Sequence, residues 1–344
     1  MSERYPIVDG QWPSLAKAFG RRTVLVVGDV MLDHTASGRA PRLSPEAPVP
    51  VLIVDEESYG LGGAANVARN LVSLGARARV VGVAGADEAG ERLLGLCRAE
   101  SIDERAVLIA KDRPTTEKTR FIAHAQQVLR VDSETAQPLT SDEERWLIER
   151  IAASAPIDAV IVSDYAKGVV TGGVIAAAVD VARRSGAPCI VDPKGVRFER
   201  YAGCTLITPN AEEAMAATHL PLRDDAAAEA IGRALLGAVG CEAVVITRGQ
   251  DGVSLVTNQQ AWHLPAQAQD VFDVAGAGDT LVAALTLACA CAAPLPAAVA
   301  LANSAAGLVV RARGVVTTTR DELGRALAAQ ESSHRNTRKE RTAA

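Results

Sequence analysis

Aromatic residues are scarce in this sequence: four Phe, four Tyr and three Trp among 344 residues. A surface that stacks on exposed nucleobases has little to build with. Positive charge is not in excess either, because 36 Lys and Arg face 41 Asp and Glu, a net charge of −5. No general basic field gathers DNA, RNA or an anionic membrane, so neither nucleic acid nor membrane is an expected partner. An anionic ligand would need local cations instead. The six cysteines include no C-x-x-C pair and the five histidines no H-x-x-x-H spacing. A zinc site or a disulfide framework is not expected, and reduced thiols fit a cytoplasmic protein. The opening MSERYPIVDGQWP lacks the basic-then-apolar layout of a signal peptide. Charge is missing altogether from Leu281 to Val310, a length that could span a bilayer. Pro294 and Pro296 cut that stretch in two, Ala dominates it, and Asn303 and Ser304 lie in its second half. The expectation is a buried helix pair in a soluble protein.

What is present is an alternation. Short β-branched runs recur at Thr23–Gly28, Arg79–Val83, Ala159–Ser163, Pro188–Val191, Thr205–Ile207 and Ala243–Thr247. Helical patterns lie between them at Gly63–Leu74, Glu88–Ala99, Ser141–Ser154, Gly173–Arg184 and Ala226–Val239. Near-continuous apolar strands alternating with helices predict an α/β fold with a doubly wound, mostly parallel sheet. Ligands in such sheets bind beyond the carboxyl ends of the strands. Two stretches break the pattern. His34–Gly60 carries Pro41, Pro45, Pro48 and Pro50 around a short strand Val51–Val54, and Lys111–Val131 holds two alternating runs, Lys118–Ile122 and Gln127–Val131, about a turn at His124-Ala125. Together they predict a small β lid, whose exposed edges invite a homodimer. The domain division that follows is an N-terminal extension 1–21, a body 22–330 with lid segments near 34–60 and 111–131, and a polar tail 331–344.

Two glycine loops compete for a phosphate. Gly60-Leu61-Gly62-Gly63-Ala64-Ala65 matches G-x-G-x-x-A before a helix, but the next strand, Arg79–Val83, ends without an acidic residue to hold a ribose, so a dinucleotide fold does not fit. A P-loop is excluded because Gly-Lys occurs nowhere. Asp273-Val274-Ala275-Gly276-Ala277-Gly278-Asp279-Thr280 runs directly into an apolar helix. Glycines there let the backbone approach a ligand, and N–H groups at a helix start favour an anion. A carboxylate at Asp279 would repel that anion unless it takes the proton of an attacking nucleophile. The alternative is a helix cap.

These segments resemble the PfkB (ribokinase-like) carbohydrate kinases. D-V-A-G-A-G-D-T is similar to the C-terminal signature, Gly62-Gly63-Ala64-Ala65-Asn66-Val67-Ala68 to the sugar-site signature, and Gly28-Asp29-Val30-Met31-Leu32-Asp33 to the first strand end. Thr208-Pro209-Asn210-Ala211-Glu212-Glu213 resembles the N-x-x-E segment and Thr247-Arg248-Gly249-Gln250-Asp251-Gly252 the nucleotide loop, all in family order across about residues 22–330. Arg42–Pro50, Ser163–Gly168 and Asp192-Pro193-Lys194-Gly195 further resemble the heptose-7-phosphate kinases that feed ADP-heptose synthesis, and no H-x-G-H motif of a fused nucleotidyltransferase occurs, as in a stand-alone kinase. Arg313-Gly314-Val315-Val316 stands where the family carries Gly-Thr near the adenine.

The resemblance implies ATP-dependent phosphorylation of the anomeric hydroxyl of D-glycero-β-D-manno-heptose 7-phosphate, with another sugar or nucleoside kinase, or a silent sugar-binding protein on the same fold, as alternatives. Asp279 would be the base and the N–H groups of Ala275, Gly276, Ala277 and Gly278 the anion hole. Asn210 and Glu213 would hold Mg²⁺ through water, or else form a cap and its first-turn acid. Thr247, Gly249 and Gly252 would border ATP, with Asn303 near the base or buried as a core amide. Asp33, Gly62, Gly63, Asn66 and Asp192 would meet the sugar, Asp33 having the alternative role of a strand-end cap. Lys118 and Arg120 would hold its phosphate, with Arg42, Arg130, Lys167 and Lys194 as further cations or ordinary surface charges.

Overall fold

A computed structural model describes residues 12–267, 271–312 and 314–330. The tail 331–344, residues 1–11 of the expected extension, and Arg313 lie outside them. The chain runs α1 (Trp12–Phe19), β1 (Thr23–Gly28), β2 (Val30–Leu43), β3 (Pro50–Gly63), α2 (Ala64–Ser73), β4 (Arg77–Gly85), α3 (Glu88–Ala99) and β5 (Asp103–Ala110). It continues through β6 (Thr116–Ala123), β7 (Gln126–Ser133), α4 (Ser141–Ala152), β8 (Ala159–Ser163), α5 (Gly172–Ser185), β9 (Cys189–Asp192) and β10 (Leu206–Ile207). Then come α6 (Ala211–Thr218), α7 (Asp225–Val239), β11 (Ala243–Thr247), β12 (Val253–Thr257), β13 (Ala261–Leu264), α8 (Ala277–Ala290) and α9 (Leu295–Val309).

Nine strands form the main sheet in the order β13-β12-β11-β10-β9-β8-β1-β4-β5. From β5 to β11 all pairings are parallel, and only β12 and β13 are antiparallel. Successive residues of a strand serve opposite faces. On β1, Val24 and Val26 join a core with α2, α8 and α9, while Leu25 and Val27 join a second core with α4, α5 and α7. That division is what a doubly wound sheet requires, and it is why its strands read as unbroken apolar runs. The first helix belongs to this body, because Leu15 and Phe19 are buried in the same core. An extension ending at residue 21 is therefore not separate from it.

The lid is larger than the proline pattern implies. In place of one short strand at Val51–Val54, β2 and β3 are each 14 residues long. They pair antiparallel, β2 also pairs parallel with β6, and β6 pairs antiparallel with β7. Proline is accommodated by irregularity. The β2–β3 register shifts between Arg39 and Arg42, which leaves Pro41, without an N–H to give, out of the ladder. Pro45 and Pro48 lie in the bend between the strands. His124 and Ala125 turn between β6 and β7 with φ of 50° and 65°.

The charge-free stretch is the expected helix pair. From Asp279 to Ala288 every residue of α8 is buried, and α8 packs on α9 and α2. Among the described residues no helix is long and apolar enough to cross a membrane. Loops that follow the carboxyl ends of β1, β8, β9 and β11 converge beside the first turn of α8, and β2 leaves β1 there to start the lid. The junction is tight. A Cβ on Gly28 would lie 2.0 Å from the carbonyl oxygen of Ser163, its partner on β8. Gly28→Ala is therefore expected to cost about 1–3 kcal/mol, read as a lower urea midpoint. An unchanged midpoint would mean that the two strand ends part freely.

Candidate active site

The loop before α8 is tied down by its own aspartate. Asp273 accepts the N–H of Ala275 at 2.9 Å and that of Gly314 at 3.1 Å. Gly276 stands at the helix N-cap with φ of 78°, a left-handed conformation suited to glycine. A Cβ there would meet Val315 at 3.1 Å and the Asn66 amide at 3.3 Å. The Ala277 N–H turns back to the carbonyl of Val274 and that of Thr280 to Gly276. Of the four N–H groups expected to form an anion hole, Ala275 and Ala277 are thus committed inside the loop. Those of Gly276 and Gly278 have no partner among the described residues, because a helix start leaves its first donors unmatched.

Asp279 is the third residue of α8 and only 6% exposed. It caps nothing, since no side chain caps this helix. Its Oδ2 instead accepts Asn66 Nδ2 at 2.6 Å and its Oδ1 accepts the Tyr165 hydroxyl at 2.7 Å. Burial pushes the Asp279 carboxyl up to about 6, opposed by these two donors and by Lys118, and aided by Asp33. A carboxylate ionised near neutrality, yet basic enough to receive a proton, suits general-base work.

Around it, Asp33 on β2 accepts Arg120 at 2.6 Å and lies against Gly62, where a Cβ would meet its Oδ2 at 2.8 Å. Gly63, at φ of 55°, has the Asp29 carbonyl closer still, with 2.4 Å left for a Cβ. Asn66 lies in the first turn of α2, and its Oδ1 is buried with no partner among the described residues. Lys118, opposite Asp33 in the β2–β6 register, holds its ammonium 5.5 Å from the centre of the Tyr165 ring. Burial lowers the Lys118 ammonium from its usual range. Arg120 is spent on Asp33, Arg130 on Asp132, Lys167 on Glu134 and Lys194 on Glu213. Among the described residues, Lys118 and the exposed Arg42 form no ion pair.

A cleft of about 180 Å³ opens between α8 and the strand ends, lined by Gly276, Gly278, Asp279, Asp192, Asn210 and Thr247. Asp192 ends β9 and accepts the Thr208 hydroxyl at 3.1 Å. Burial, with the charges of Asp279 and Glu213, holds its carboxyl well above the usual range. Asn210 and Glu213 form the capping box of α6, each taking the other's backbone N–H at 2.9 and 3.0 Å. Lys194 holds the second oxygen of Glu213 at 2.6 Å. Each Glu213 oxygen thus has one donor and keeps a lone pair, which suits magnesium held through the water that ion retains readily. Among the described residues no cluster of three acidic, His or Cys side chains forms a direct metal cage.

Thr247 is bridged to Asn210, and its N–H reaches the Pro209 carbonyl at 3.0 Å. Gly249 and Gly252, with φ of 58° and 85°, shape the loop after β11. Asn303 does not line the cleft, and its amide donates to the Pro265 carbonyl at 2.9 Å, the role of a satisfied core amide. Tyr165 was not legible as a site residue. In an aromatic-poor sequence, a tyrosine just past a strand's carboxyl end was the available signal.

The fold and site together define the class, an α/β sugar phosphotransferase with a β lid. Residues 21–322 match the pfkB family carbohydrate kinases, and the chain belongs to that family as an ATP-dependent carbohydrate kinase. It is 48% identical over 318 residues to the "Bifunctional protein HldE" of Caulobacter vibrioides, covering 92% of this chain and 65% of that protein. It is 43% identical over 331 residues to the protein of that name from Rhodospirillum rubrum, covering 95% and 67%. The chain thus spans about two thirds of the length of these relatives. Phosphofructokinase-2 from Escherichia coli, in complex with potassium, shares the fold at a TM-score of 0.75 and 23% identity, over 90% of this chain and 98% of that one. Ribokinase of Arabidopsis thaliana, complexed with ribose and ATP, does so at 0.70 and 18%, over 89% and 98%.

The raised Asp279 carboxyl carries a stability consequence. Its folded value lies above the unfolded one of about 3.9. The burial penalty is absent below the unfolded value and fully felt as pH rises past about 6. Asp279→Asn should therefore be more stable than wild type at about pH 7.5, by up to about 3 kcal/mol, and nearly equal to it at about pH 4. Urea titrations at the two pH values check this. A difference that does not change with pH would assign Asp279 an ordinary carboxyl.

Proposed function

We propose that the chain transfers the γ-phosphoryl group of ATP to the anomeric C1 hydroxyl of D-glycero-β-D-manno-heptose 7-phosphate, yielding the 1,7-bisphosphate for ADP-heptose and lipopolysaccharide core synthesis. The observation that carries the reading is Asp279, a carboxylate that burial pushes up to about 6, in the same first turn of α8 as the open N–H groups of Gly276 and Gly278. Phosphoryl transfer asks the protein mainly for position and charge stabilisation. Asp279 takes the proton of the sugar hydroxyl, and the two glycine N–H groups meet the charge on the moving phosphoryl group. Asn66 Oδ1 and the second lone pairs of Asp33 receive sugar hydroxyls, beside Gly62, Gly63 and Asp192. Thr247, Gly249 and Gly252 border the nucleotide. Magnesium, held through water by Asn210 and Glu213, would supply charge neutralisation at the ATP phosphates.

The choice of sugar rests on the segments that resemble heptose-7-phosphate kinases and on Lys118, a half-buried cation without a carboxylate partner among the described residues. Lys118, with Arg42 further out on β2, is the clamp for the 7-phosphate, whereas Arg120 serves by holding Asp33. The enzyme works in the cytoplasm, where ATP is supplied. Its kinase unit is 22–330 joined by α1, with the tail 331–344 outside it. A homodimer forms through the lid, whose faces expose Leu43, Val54, Leu129 and Val131 and whose strands β3 and β7 are unpaired at its edges.

Asp279→Asn should lower turnover at least about 10²-fold and leave KM for ATP near wild type. ³¹P NMR with ATP, Mg²⁺ and a panel of sugar phosphates reads both the reaction and the loss. A variant that keeps a tenth of wild-type turnover would remove Asp279 from the base role. Lys118→Ala should raise KM for heptose 7-phosphate by about 10- to 150-fold, the loss of one charge-assisted bond, and spare KM for ATP. Equal efficiency of wild type on free and phosphorylated heptose would sink the clamp, and a flat KM in the variant would shift it to Arg42.

A further inference from the structure

We infer that Tyr165 is a positioning residue for the proposed reaction, and that Asp29 is the anchor that brings Tyr165 and Asn66 together on Asp279. The inference rests on the reading of Asp279 as the base and deepens it.

Asp279, Asn66 and Tyr165 come from three separate elements. One residue, at the end of β1, joins two of them. Asp29 is 1% exposed. Its Oδ2 accepts the N–H of Tyr165 at 2.8 Å and that of Lys167 at 3.2 Å, and its Oδ1 accepts the N–H of Val169 at 3.1 Å. Three alternate N–H groups reach one carboxylate because the loop turns left-handed at Ala166 and Gly168, with φ of 56° and 88°. Asp164 takes one of the two N–H groups between them, that of Ala166, at 2.7 Å. The carbonyl of Asp29, meanwhile, accepts the N–H of Ala64 at 3.0 Å, the first residue of α2 and two before Asn66. A single buried aspartate thereby sets the Tyr165 loop with its side chain and the Asn66 helix with its backbone.

What the tyrosine does follows from hydrogen-bond chemistry. Its hydroxyl donates to Oδ1 while Asn66 donates to Oδ2, so each carboxylate oxygen keeps one lone pair for the substrate. Two neutral donors stabilise the ionised form without neutralising it, as a cation would. The hydroxyl stays protonated at working pH, because burial and the Asp279 charge raise Tyr165 well above its usual range. The other charges that act on Asp279 are Asp33 on β2, Lys118 on β6 and Asp192 at the end of β9. Neither α8 beyond Asp279 nor α9 carries any.

The test is the titration of the Asp279 carboxyl by ¹³C NMR, assigned by its loss in Asp279→Asn, in wild type and Tyr165→Phe. Removing one donor should raise the midpoint by about one unit. The acid limb of kcat should move with it, with KM for ATP unchanged. Incorporation of difluorotyrosine at 165, which keeps the ring and makes the hydroxyl a stronger donor, should shift the midpoint the other way. That variant decides the matter should Tyr165→Phe fail to fold. A midpoint that neither substitution moves overturns the inference, whatever happens to kcat. The titration needs no substrate, so a wild type that turns over no sugar phosphate would defeat the proposed function and leave this result standing or falling alone.

Discussion

A carboxylate buried in the first turn of a helix that is otherwise without charge is the constraint around which this structure is arranged. Asp279 is the one charged residue of α8, and α9 beside it has none. Such a helix tolerates an acid only at its open N-terminus, where unmatched N–H groups carry partial positive charge. Even there the group must be held. Neutral donors hold it without removing its basicity, and they come from α2 and from the loop after β8. The close approach of β1 to β8 at Gly28 matters for this reason, since it sets Asp29 where both donors can be tied.

Three other carboxylates around the site are handled differently. Asp33, Glu134 and Glu213 each have a Lys or Arg partner. These partly buried pairs are weak evidence for stability, but they consume cations. The remainder is what a net-acidic protein can offer an anionic ligand. Lys118 keeps its ammonium over a tyrosine ring, where desolvation lowers its pKa and a charge acts more strongly than in water. The lid makes this possible by pairing β6 with β2, which faces Lys118 across from Asp33.

Much of the fold was legible because local rules and tertiary need agree. Strands β1, β8 and β11 run between the residues that their apolar runs mark, and α3 between its own. Pro294 is the N-cap of α9 and Pro296 lies in its first turn, where no N–H is needed, so the charge-free stretch falls into two helices. The lid strands were underestimated because a proline reads as a stop. Only the β2–β3 register shift, a property of the pairing, shows how Pro41 is passed over. The glycine loop before α8 was readable as an anion site, but which of its N–H groups stay open was not. That depends on Asp273 and Val274 folding back on Ala275 and Ala277.

Residue type and period were enough for the doubly wound sheet, the helix pair and the carboxylate at the α8 start, because each follows from contacts within one element or its immediate cap. The partners of that carboxylate were beyond their reach. Asn66 and Asp279 lie 213 positions apart, and Tyr165 and Asp279 lie 114 apart. Asn210 and Glu213 show the same limit from the other side. Their spacing is legible as a metal pair or as a capping box, and only the structure shows that Lys194, delivered from another strand end, takes the Glu213 oxygen that the box leaves open. A side chain's free lone pairs and unspent charge depend on everything that packs around it. Only the assembled sheet, with its loops gathered at one edge, decides them.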